Sequence, residues 1–279
     1  MTYKTILLHL HDIRRAERLL RAAVPLVRAM DAHLIALSVV PPFVVVPAVD
    51  GMGTTVSIDA HREAYRGEMA QLKAKFLDAT AAQPLRAEWR EADALFGSVA
   101  GMVVEHGRCA DLIVASQADP DWGSSSLIED PVRIAMESGR PLLLVPNSGA
   151  VTLPPKRITI AWNGRREAAR AVFDARSLVR HADEVNVTWI NPGQDPAAGD
   201  LPTAEICATL ARHGAKVQAS QATAPGADVG RELLRQAAAF GSDLLVMGCY
   251  GHSRLREFVL GGASRDVLAG MTLPVLLSH

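Results

Sequence analysis

The sequence predicts an α/β protein made of two tandem doubly wound domains, each with a five-stranded parallel sheet and flanking helices. Short apolar runs alternate with amphipathic helical segments along the chain, which is the pattern of βαβ units and parallel strands. Several apolar runs are continuous rather than alternating, as expected for strands covered by helices on both faces. The whole pattern occurs twice, with a period of about 150 residues.

The duplication is visible in matching segments that occur in the same order in both halves. Residues 4–23 and 156–175 each carry an apolar run, a polar turn with two arginines and an Ala/Arg-rich amphipathic stretch. Two further matches are ADLIVAS (110–116) with SDLLVMG (242–248), and RPLLLVP (140–146) with LPVLLSH (273–279). We expect domains at 1–147 and 156–279, with a linker at 147–156 that is rich in small residues and proline.

The spacing of apolar residues assigns the elements of the first domain. Apolar residues recur at helical intervals between Glu17 and Met30, whereas Thr5–Leu10 is a short apolar run typical of a strand. The predicted strands are Thr5–Leu10, His33–Val40, Arg86–Arg90, Asp111–Ser116 and Pro141–Pro146, and the predicted helices are Glu17–Met30, Ile58–Thr80 and Leu95–Gly107. An insertion at 41–57 is either an apolar lid, a partner surface, or a loop that packs on its own domain.

The second domain repeats this order. The predicted strands are Ile158–Trp162, Glu184–Ile190, Lys216–Ser220, Leu244–Met247 and Val275–Leu277, and the predicted helices are Ala168–His181, Thr203–His213, Asp228–Phe240 and Ala263–Gly270. The final strand would leave an unpaired edge, because it ends its sheet. Pairing with the last strand of the first domain would cover that edge.

Composition and charge narrow the function classes. The net charge is −1 without long single-sign runs, which gives no reason to expect nucleic-acid or membrane binding. The three cysteines fit neither a zinc pattern nor a disulfide framework, so a reducing compartment is expected. No apolar stretch is long enough to span a bilayer and no signal peptide is evident, so a cytoplasmic protein is predicted.

A glycine-rich segment follows the fourth strand of the second domain. It reads GCYGHSRLREFVLGGASRDVL at 248–268, with glycines at Gly248, Gly251, Gly261 and Gly262. Glycines at a strand end and before a helix let backbone N–H groups and the positive helix terminus face a phosphate. Further candidate phosphate ligands are the side chains of His252, Arg254, Arg256 and Ser264, with Ala263 beginning the helix.

On these residues the sequence resembles the universal stress protein family. Gly248, Gly251 and Gly261 match the spacing of that family's signature, whereas Gly262 stands where the signature has Ser or Thr. The resemblance extends over both halves and implies a tandem member with a Rossmann-like fold of the adenine nucleotide alpha hydrolase type. It also implies an intramolecular pseudo-dimer and ATP, with or without Mg²⁺, as the ligand of the second domain.

The same resemblance assigns further site residues. Asn163 stands where the family often has an Asp near the ribose. Ile190 stands at the position whose backbone contacts adenine in the family. Trp162 either stacks nearby or packs in the core. Asn163 and Gly164 alternatively form only a turn before a helix.

The first domain lacks the glycine segment. Aligned on the fourth strand, Ser116 replaces Gly248 and Asp119 replaces Gly251. Acidic residues stand where phosphate would lie, at Asp119, Asp121, Glu129 and Asp130. Because carboxylates repel phosphate, this domain is expected to bind no nucleotide through that loop.

Two further sets of residues each allow two interpretations. His9, His11 and Asp12 cluster at the end of the first strand, either as a metal or proton-transfer site or as hydrogen-bonded residues at the sheet rim. Cys249 is either a redox-sensitive thiolate or an inert small residue.

Three functions fit these observations. The first is a stress-response protein that binds an adenine nucleotide as a regulatory or stability ligand. The second is a nucleotide-free scaffold that binds protein partners, and the third is a slow ATPase or adenylate-transferring enzyme. The sequence contains no recognisable catalytic set, which favours binding over turnover. Association of two chains into a homodimer stays open.

Overall fold

The computed structural model describes residues 2–43, 58–81, 85–94, 97–119, 121, 129–192, 203–224, 228–249 and 262–279. In this part of the chain the strands of the first half are β1 (Thr5–His9), β2 (His33–Val40), β3 (Arg86–Asp93), β4 (Leu112–Ser116) and β5 (Leu142–Val145). Those of the second half are β6 (Arg157–Ala161), β7 (Glu184–Ile190), β8 (Val217–Ala222), β9 (Leu244–Gly248) and β10 (Val275–Ser278).

Helices connect the strands in alternation. The first half has α1 (Ile13–Met30), α2 (Ile58–Ala81), α3 (Val99–Gly107) and α4 (Pro131–Glu137). The second half has α5 (Arg166–Asp174), α6 (Arg176–Val179), α7 (Thr203–Arg212), α8 (Val229–Phe240) and α9 (Gly262–Gly270). Within each half every described strand pairing is parallel, which confirms the predicted fold class.

The two halves join into a single sheet. The strand order is β3-β2-β1-β4-β5-β10-β9-β6-β7-β8. At the junction β5 and β10 pair antiparallel, with Leu143 opposite Leu276. The predicted covering of the last strand's edge is therefore confirmed. The symmetric order relates the halves by a pseudo-twofold axis perpendicular to the sheet, as in an intramolecular pseudo-dimer.

Each face of the sheet carries one apolar core that runs through both halves. One core contains residues of α1, α2, α5, α6 and α7, and the other contains residues of α3, α4, α8 and α9. Leu143 and Leu276 belong to the first core, while their neighbours along the two junction strands, such as Leu144 and Val275, belong to the second. Burial at the junction thus stabilises both halves together.

Polar contacts also tie the halves to each other. The side-chain amide of Gln117 donates to the carbonyl of Leu268 at 2.7 Å, and the Tyr3 hydroxyl donates to the carbonyl of Asp174 at 2.6 Å. Burial is the main cause that raises the pKa of Tyr3, so this phenol stays a hydrogen-bond donor. The Arg18 guanidinium donates to three carbonyls at the end of the first half and the start of the linker, those of Pro146, Ser148 and Gly149.

Local capping explains where helix bounds differ from the predictions. Asp12 accepts a hydrogen bond from the backbone of Arg14, so α1 begins before Glu17. Ser98 caps α3, which therefore begins after Leu95. Asp130 caps a short helix, α4, that the sequence analysis missed, although a capping Asp followed by a proline is a typical helix start. The predicted helix Ala168–His181 is instead two helices, which meet at Ala175.

No helix in the described ranges has the length and apolar character needed to cross a membrane.

The shared cores predict that both halves unfold in one cooperative transition. Leu276→Ala should lower the free energy of unfolding by about 2–5 kcal/mol, because it leaves a cavity where the halves meet. Chemical denaturation followed by circular dichroism measures this effect. Leu77→Ala is the matched control, since Leu77 is 51 % exposed, and it should change stability by less than about 0.5 kcal/mol. Two separate transitions in the parent protein would contradict this account.

Candidate functional site

Strand order locates one crevice in each half. From β6 the chain proceeds to β7 and β8 on one side and then returns to β9 on the other side. The strand order therefore reverses between β6 and β9, and ligands of such sheets bind beyond the carboxyl ends of the strands at this point. The equivalent reversal in the first half lies between β1 and β4. Because β5 and β10 are antiparallel, the carboxyl ends of the strands point in opposite directions in the two halves. The two crevices therefore open at opposite ends of the strands.

The glycine segment of the second half starts and ends at this crevice. β9 ends at Gly248, and α9 begins at Gly262. Ala263 and Ser264 lie in the first turn of α9, where Ser264 is buried. Residues 250–261 lie outside the described residues, and with them the predicted ligands Gly251, His252, Arg254, Arg256 and Gly261.

Gly248 is required by packing whatever the crevice binds. A Cβ atom at this position would lie 2.4 Å from the carbonyl carbon of Glu167 and 2.6 Å from the backbone nitrogen of Ala168. The end of β9 therefore approaches the first turn of α5 more closely than any side chain permits. This contact brings the start of α5, which follows β6, against the start of the glycine segment.

Asn163 lies at the carboxyl end of β6 and is exposed. Its side-chain oxygen accepts a hydrogen bond from the backbone of Arg165 at 3.1 Å, and Gly164 has a φ of 72°. These features form the turn into α5 that was the alternative interpretation of this dipeptide. The turn leaves Asn163 at the rim of the crevice, next to the strand that carries the glycine segment.

Trp162 and Ile190 point to opposite faces of the sheet. Trp162 is 8 % exposed and packs in the core on the α5 face, together with Trp189. This placement favours core packing over stacking on a ligand. Ile190 packs in the other core with Met247, at the end of β7.

Asn191 is a rim residue that the sequence analysis missed. It has a φ of 51°, and its side chain accepts from the backbone nitrogen of Ala224 at 2.8 Å and donates to the carbonyl of the same residue at 3.2 Å. It thereby ties the end of β7 to the segment that follows β8. Its signal was an Asn directly after a strand and before a proline, since Asn tolerates this backbone conformation and bonds to nearby backbone.

Cys249 is an inert thiol in this arrangement. It is fully buried, and burial raises its pKa to about 12. Its carbonyl lies 3.0 Å from Nδ1 of His279, and its backbone nitrogen donates to Ser278 at 2.9 Å. Since the thiolate is the reactive form, the redox-sensor hypothesis is disfavoured.

Glu167 is a buried acidic residue that the sequence analysis missed, and its backbone lies against Gly248. It is buried in the first turn of α5 and pairs with Arg166 at 2.5 Å. Burial alone would raise the pKa of Glu167, but hydrogen bonds from Arg166 and from its own backbone hold the pKa below its ordinary value. An ion pair between Glu167 and Arg166 therefore lies in the first turn of α5, whose backbone contacts Gly248.

The first crevice is filled by Glu129. The carboxylate of Glu129 accepts from Nε2 of His11 at 2.9 Å, from the Ser116 hydroxyl at 3.2 Å and from the backbone nitrogen of Asp119 at 2.7 Å. The guanidinium of Arg15 forms an ion pair with it. Glu129 is thus the acidic residue of this segment that lies inside the crevice, whereas Asp130 caps α4 and Asp121 is exposed.

His9 and His11 stack on each other beneath this carboxylate. Their ring centroids are 4.5 Å apart, and His9 is 2 % exposed. Burial, followed by the neighbouring His11 and Arg15, holds the pKa of His9 well below its ordinary value of 6.5. The ranges described contain no group of three or more His, Cys, Asp or Glu residues that could hold a metal ion.

Comparison with known proteins decides the family. The sequence model described as the universal stress protein family matches residues 156–279. The second half, residues 156–279, therefore belongs to the universal stress protein family. No curated protein matches the sequence.

Solved structures extend the likeness in fold to the whole chain. The universal stress protein from Archaeoglobus fulgidus DSM 4304 has a TM-score of 0.73 at 14 % identity, covering 98 % of this chain and 95 % of that chain. A functionally unknown protein from Pseudomonas aeruginosa PAO1 has a TM-score of 0.58 at 15 % identity, covering 99 % of this chain and 92 % of that chain. The chain therefore has the fold of a tandem universal stress protein, as the resemblance implied.

The buried His9 predicts that the protein loses stability in mild acid. An unfolded His9 takes up a proton near its ordinary value of 6.5, whereas the folded one stays neutral to lower pH. The free energy of unfolding should therefore fall as the pH drops below that value. Denaturation at about pH 7.5 and about pH 5.5 should show a smaller loss for His9→Phe than for the parent. His213→Phe, at an exposed site, is the control, and an equal loss in both variants would show that His9 is not the cause.

The close contact of β9 with α5 predicts different effects for two glycines of the same segment. Gly248→Ala should cost about 1–3 kcal/mol of stability, because the backbone of α5 must move. Gly262→Ala should leave stability unchanged or raise it by up to about 1 kcal/mol, because no atom of the described residues lies within 4 Å of the added Cβ and alanine favours a helix. Urea denaturation compares them, and a tolerated Gly248→Ala would refute the packing role.

Proposed function

We propose that the second half binds ATP or a related adenine nucleotide, in the crevice between β6 and β9, as a regulatory or stability ligand. The main support for this proposal is that Asn163 and the ends of the glycine segment lie at the same reversal of strand order, between β6 and β9. Asn163 follows β6, and the glycine segment connects the end of β9 with the start of α9. We assign this role to residues 156–279 and a nucleotide-free role to residues 1–147.

The chemistry of the segment supports a phosphate ligand. Its spaced glycines permit backbone N–H groups to face an anion, and the first turn of α9 supplies free N–H groups and a positive helix end. His252, Arg254 and Arg256 would neutralise phosphate charge. The backbone of Ile190, at the end of the neighbouring strand β7, would meet the base.

The magnesium complex is the form of the triphosphate that we expect to bind. Mg²⁺ takes oxygen ligands from the phosphates and lowers the negative charge that the site must accommodate. A nucleotide that binds only the folded state would also stabilise the protein by mass action. This is the simplest regulatory use of a site for which we assign no catalytic base.

The alternative is a nucleotide-free scaffold. Two observations favour it: Gly248 is already required by the contact with α5, and Asn163 already serves a turn. The missing hydroxyl at Gly262 points in the same direction. Under this alternative the glycines persist for backbone geometry, and protein partners bind elsewhere on the surface.

Nucleotide content distinguishes these functions. Protein purified from the expressing cells is denatured, and the supernatant is assayed for ATP, ADP and AMP. Thermal shift is measured in parallel with millimolar ATP, with Mg²⁺ or with EDTA. We expect bound nucleotide or an Mg²⁺-dependent rise in melting temperature for the parent, and neither for Gly251→Asp. Gly97→Asp adds the same charge in the first half, at a glycine whose Cβ would have no atom of the described residues within 4 Å, and should behave like the parent.

Gly262→Ser provides a gain-of-function arm. Restoring the hydroxyl of the family signature should tighten ATP binding about tenfold, since a hydrogen bond to a charged group contributes about 1.5 kcal/mol. A parent protein that is empty and unresponsive to Mg²⁺ and ATP would reject the proposal in favour of the scaffold. Turnover above background that Gly251→Asp abolishes would instead establish a slow ATPase.

A further inference from the structure

We propose that the first half contains an oxyanion site whose occupant is the protein's own Glu129 carboxylate. The site, called here the Glu129 pocket, consists of Nε2 of His11, the guanidinium of Arg15, the hydroxyl of Ser116 and the backbone N–H of Asp119. Its ligand class is a small oxyanion such as inorganic phosphate, which the tethered carboxylate excludes.

The donor set is of the kind that binds oxyanions. A guanidinium, an imidazole, a hydroxyl and a backbone amide converge on the two oxygens of a single carboxylate. Charge-assisted donors of this kind serve carboxylates and phosphates alike. The side chains of Glu129 and His11 are each only 2 % exposed, so the carboxylate and its donors are shielded from water.

Position supports the same conclusion independently. The pocket lies between β1 and β4, where strand order reverses in the first half. By the internal repeat, Ser116 at the end of β4 corresponds to Gly248 at the end of β9. Glu129 stands two residues before α4, and Gly261 stands one residue before α9 in the sequence. Counted from Ser116 and Gly248, Glu129 thus corresponds to Gly261.

The charges around the pocket predict what remains when Glu129 is removed. Asp12 forms ion pairs with Arg14 and Arg15 at 2.9 and 3.0 Å. Without Glu129, the guanidinium of Arg15 and the donors of His11 and Ser116 still surround the vacated space. Asp12 and Asp119 balance the charges of Arg14 and Arg15, so the hydrogen-bond donors, not an excess of positive charge, would attract the ligand. Buried donors without an acceptor are costly, so the altered pocket should take up a small oxyanion from solution.

Phosphate binding tests the proposal, with all variants made in the Gly251→Asp background so that the second half does not contribute. Glu129→Ala opens the pocket, Glu129→Gln fills it with a neutral side chain, and Asp121→Ala removes a charge from an exposed position of the same segment. Binding of inorganic phosphate is measured by calorimetry and by melting temperature, against chloride at equal ionic strength. Glu129→Ala should bind phosphate at least about tenfold more tightly than the background protein, and the other two should not.

A second measurement covers the case in which Glu129→Ala folds poorly in chloride. Phosphate should then restore its circular dichroism and melting transition, and adding Arg15→Ala should abolish that rescue. The proposal is overturned if phosphate neither binds to nor rescues Glu129→Ala, or if Asp121→Ala responds equally. Because nucleotide binding by the second half is already removed, failure here leaves the proposed function unaffected.

Discussion

The antiparallel pairing of β5 with β10 is the constraint on which the architecture depends. Each strand would otherwise end its own sheet with unpaired backbone groups. Their pairing joins two parallel sheets into one of ten strands, and it lets each apolar core continue through both halves. The same pairing makes the strands of one half run opposite to those of the other, so the two crevices open at opposite ends of the strands. Four strands, β4, β5, β10 and β9, also lie between the two reversals of strand order.

The two crevices show how one fold position can acquire different chemistry. In both halves the strand order reverses beside the first strand, and in both a segment returns from the neighbouring strand to a helix. The second half has glycine at both ends of this segment, at Gly248 and Gly262, whereas the first has Ser116 and Glu129. In the first half the Glu129 carboxylate accepts the hydrogen bonds of the surrounding donors, so the protein itself supplies the acceptor. The two crevices thus occupy equivalent positions in the repeat, and they differ in the volume and charge of the side chains that line them.

Much of the fold could be predicted because its signals are local. Buried parallel strands are short apolar runs, and the bounds of β2 and β7 agree with the sequence predictions residue for residue. Helix ends were less predictable, because they depend on caps such as Asp12 and Asp130 and not on apolar spacing. The glycine spacing identified the candidate site in sequence. It could not reveal that Gly248 also contacts the backbone of α5, or that the buried Glu167 of that turn pairs with Arg166.

The sequence by itself determined the repeat, the parallel sheets, the glycine segment and the acidic character of its counterpart. These are properties of residue type and spacing along the chain. Only the tertiary structure decided which acidic residue enters the first crevice, which face of the sheet buries Trp162, and how His9 and His11 stack. The contact of His11 with Glu129, for example, joins residues 118 positions apart. No local pattern encodes them, because they depend on where strand order and packing bring separate segments together.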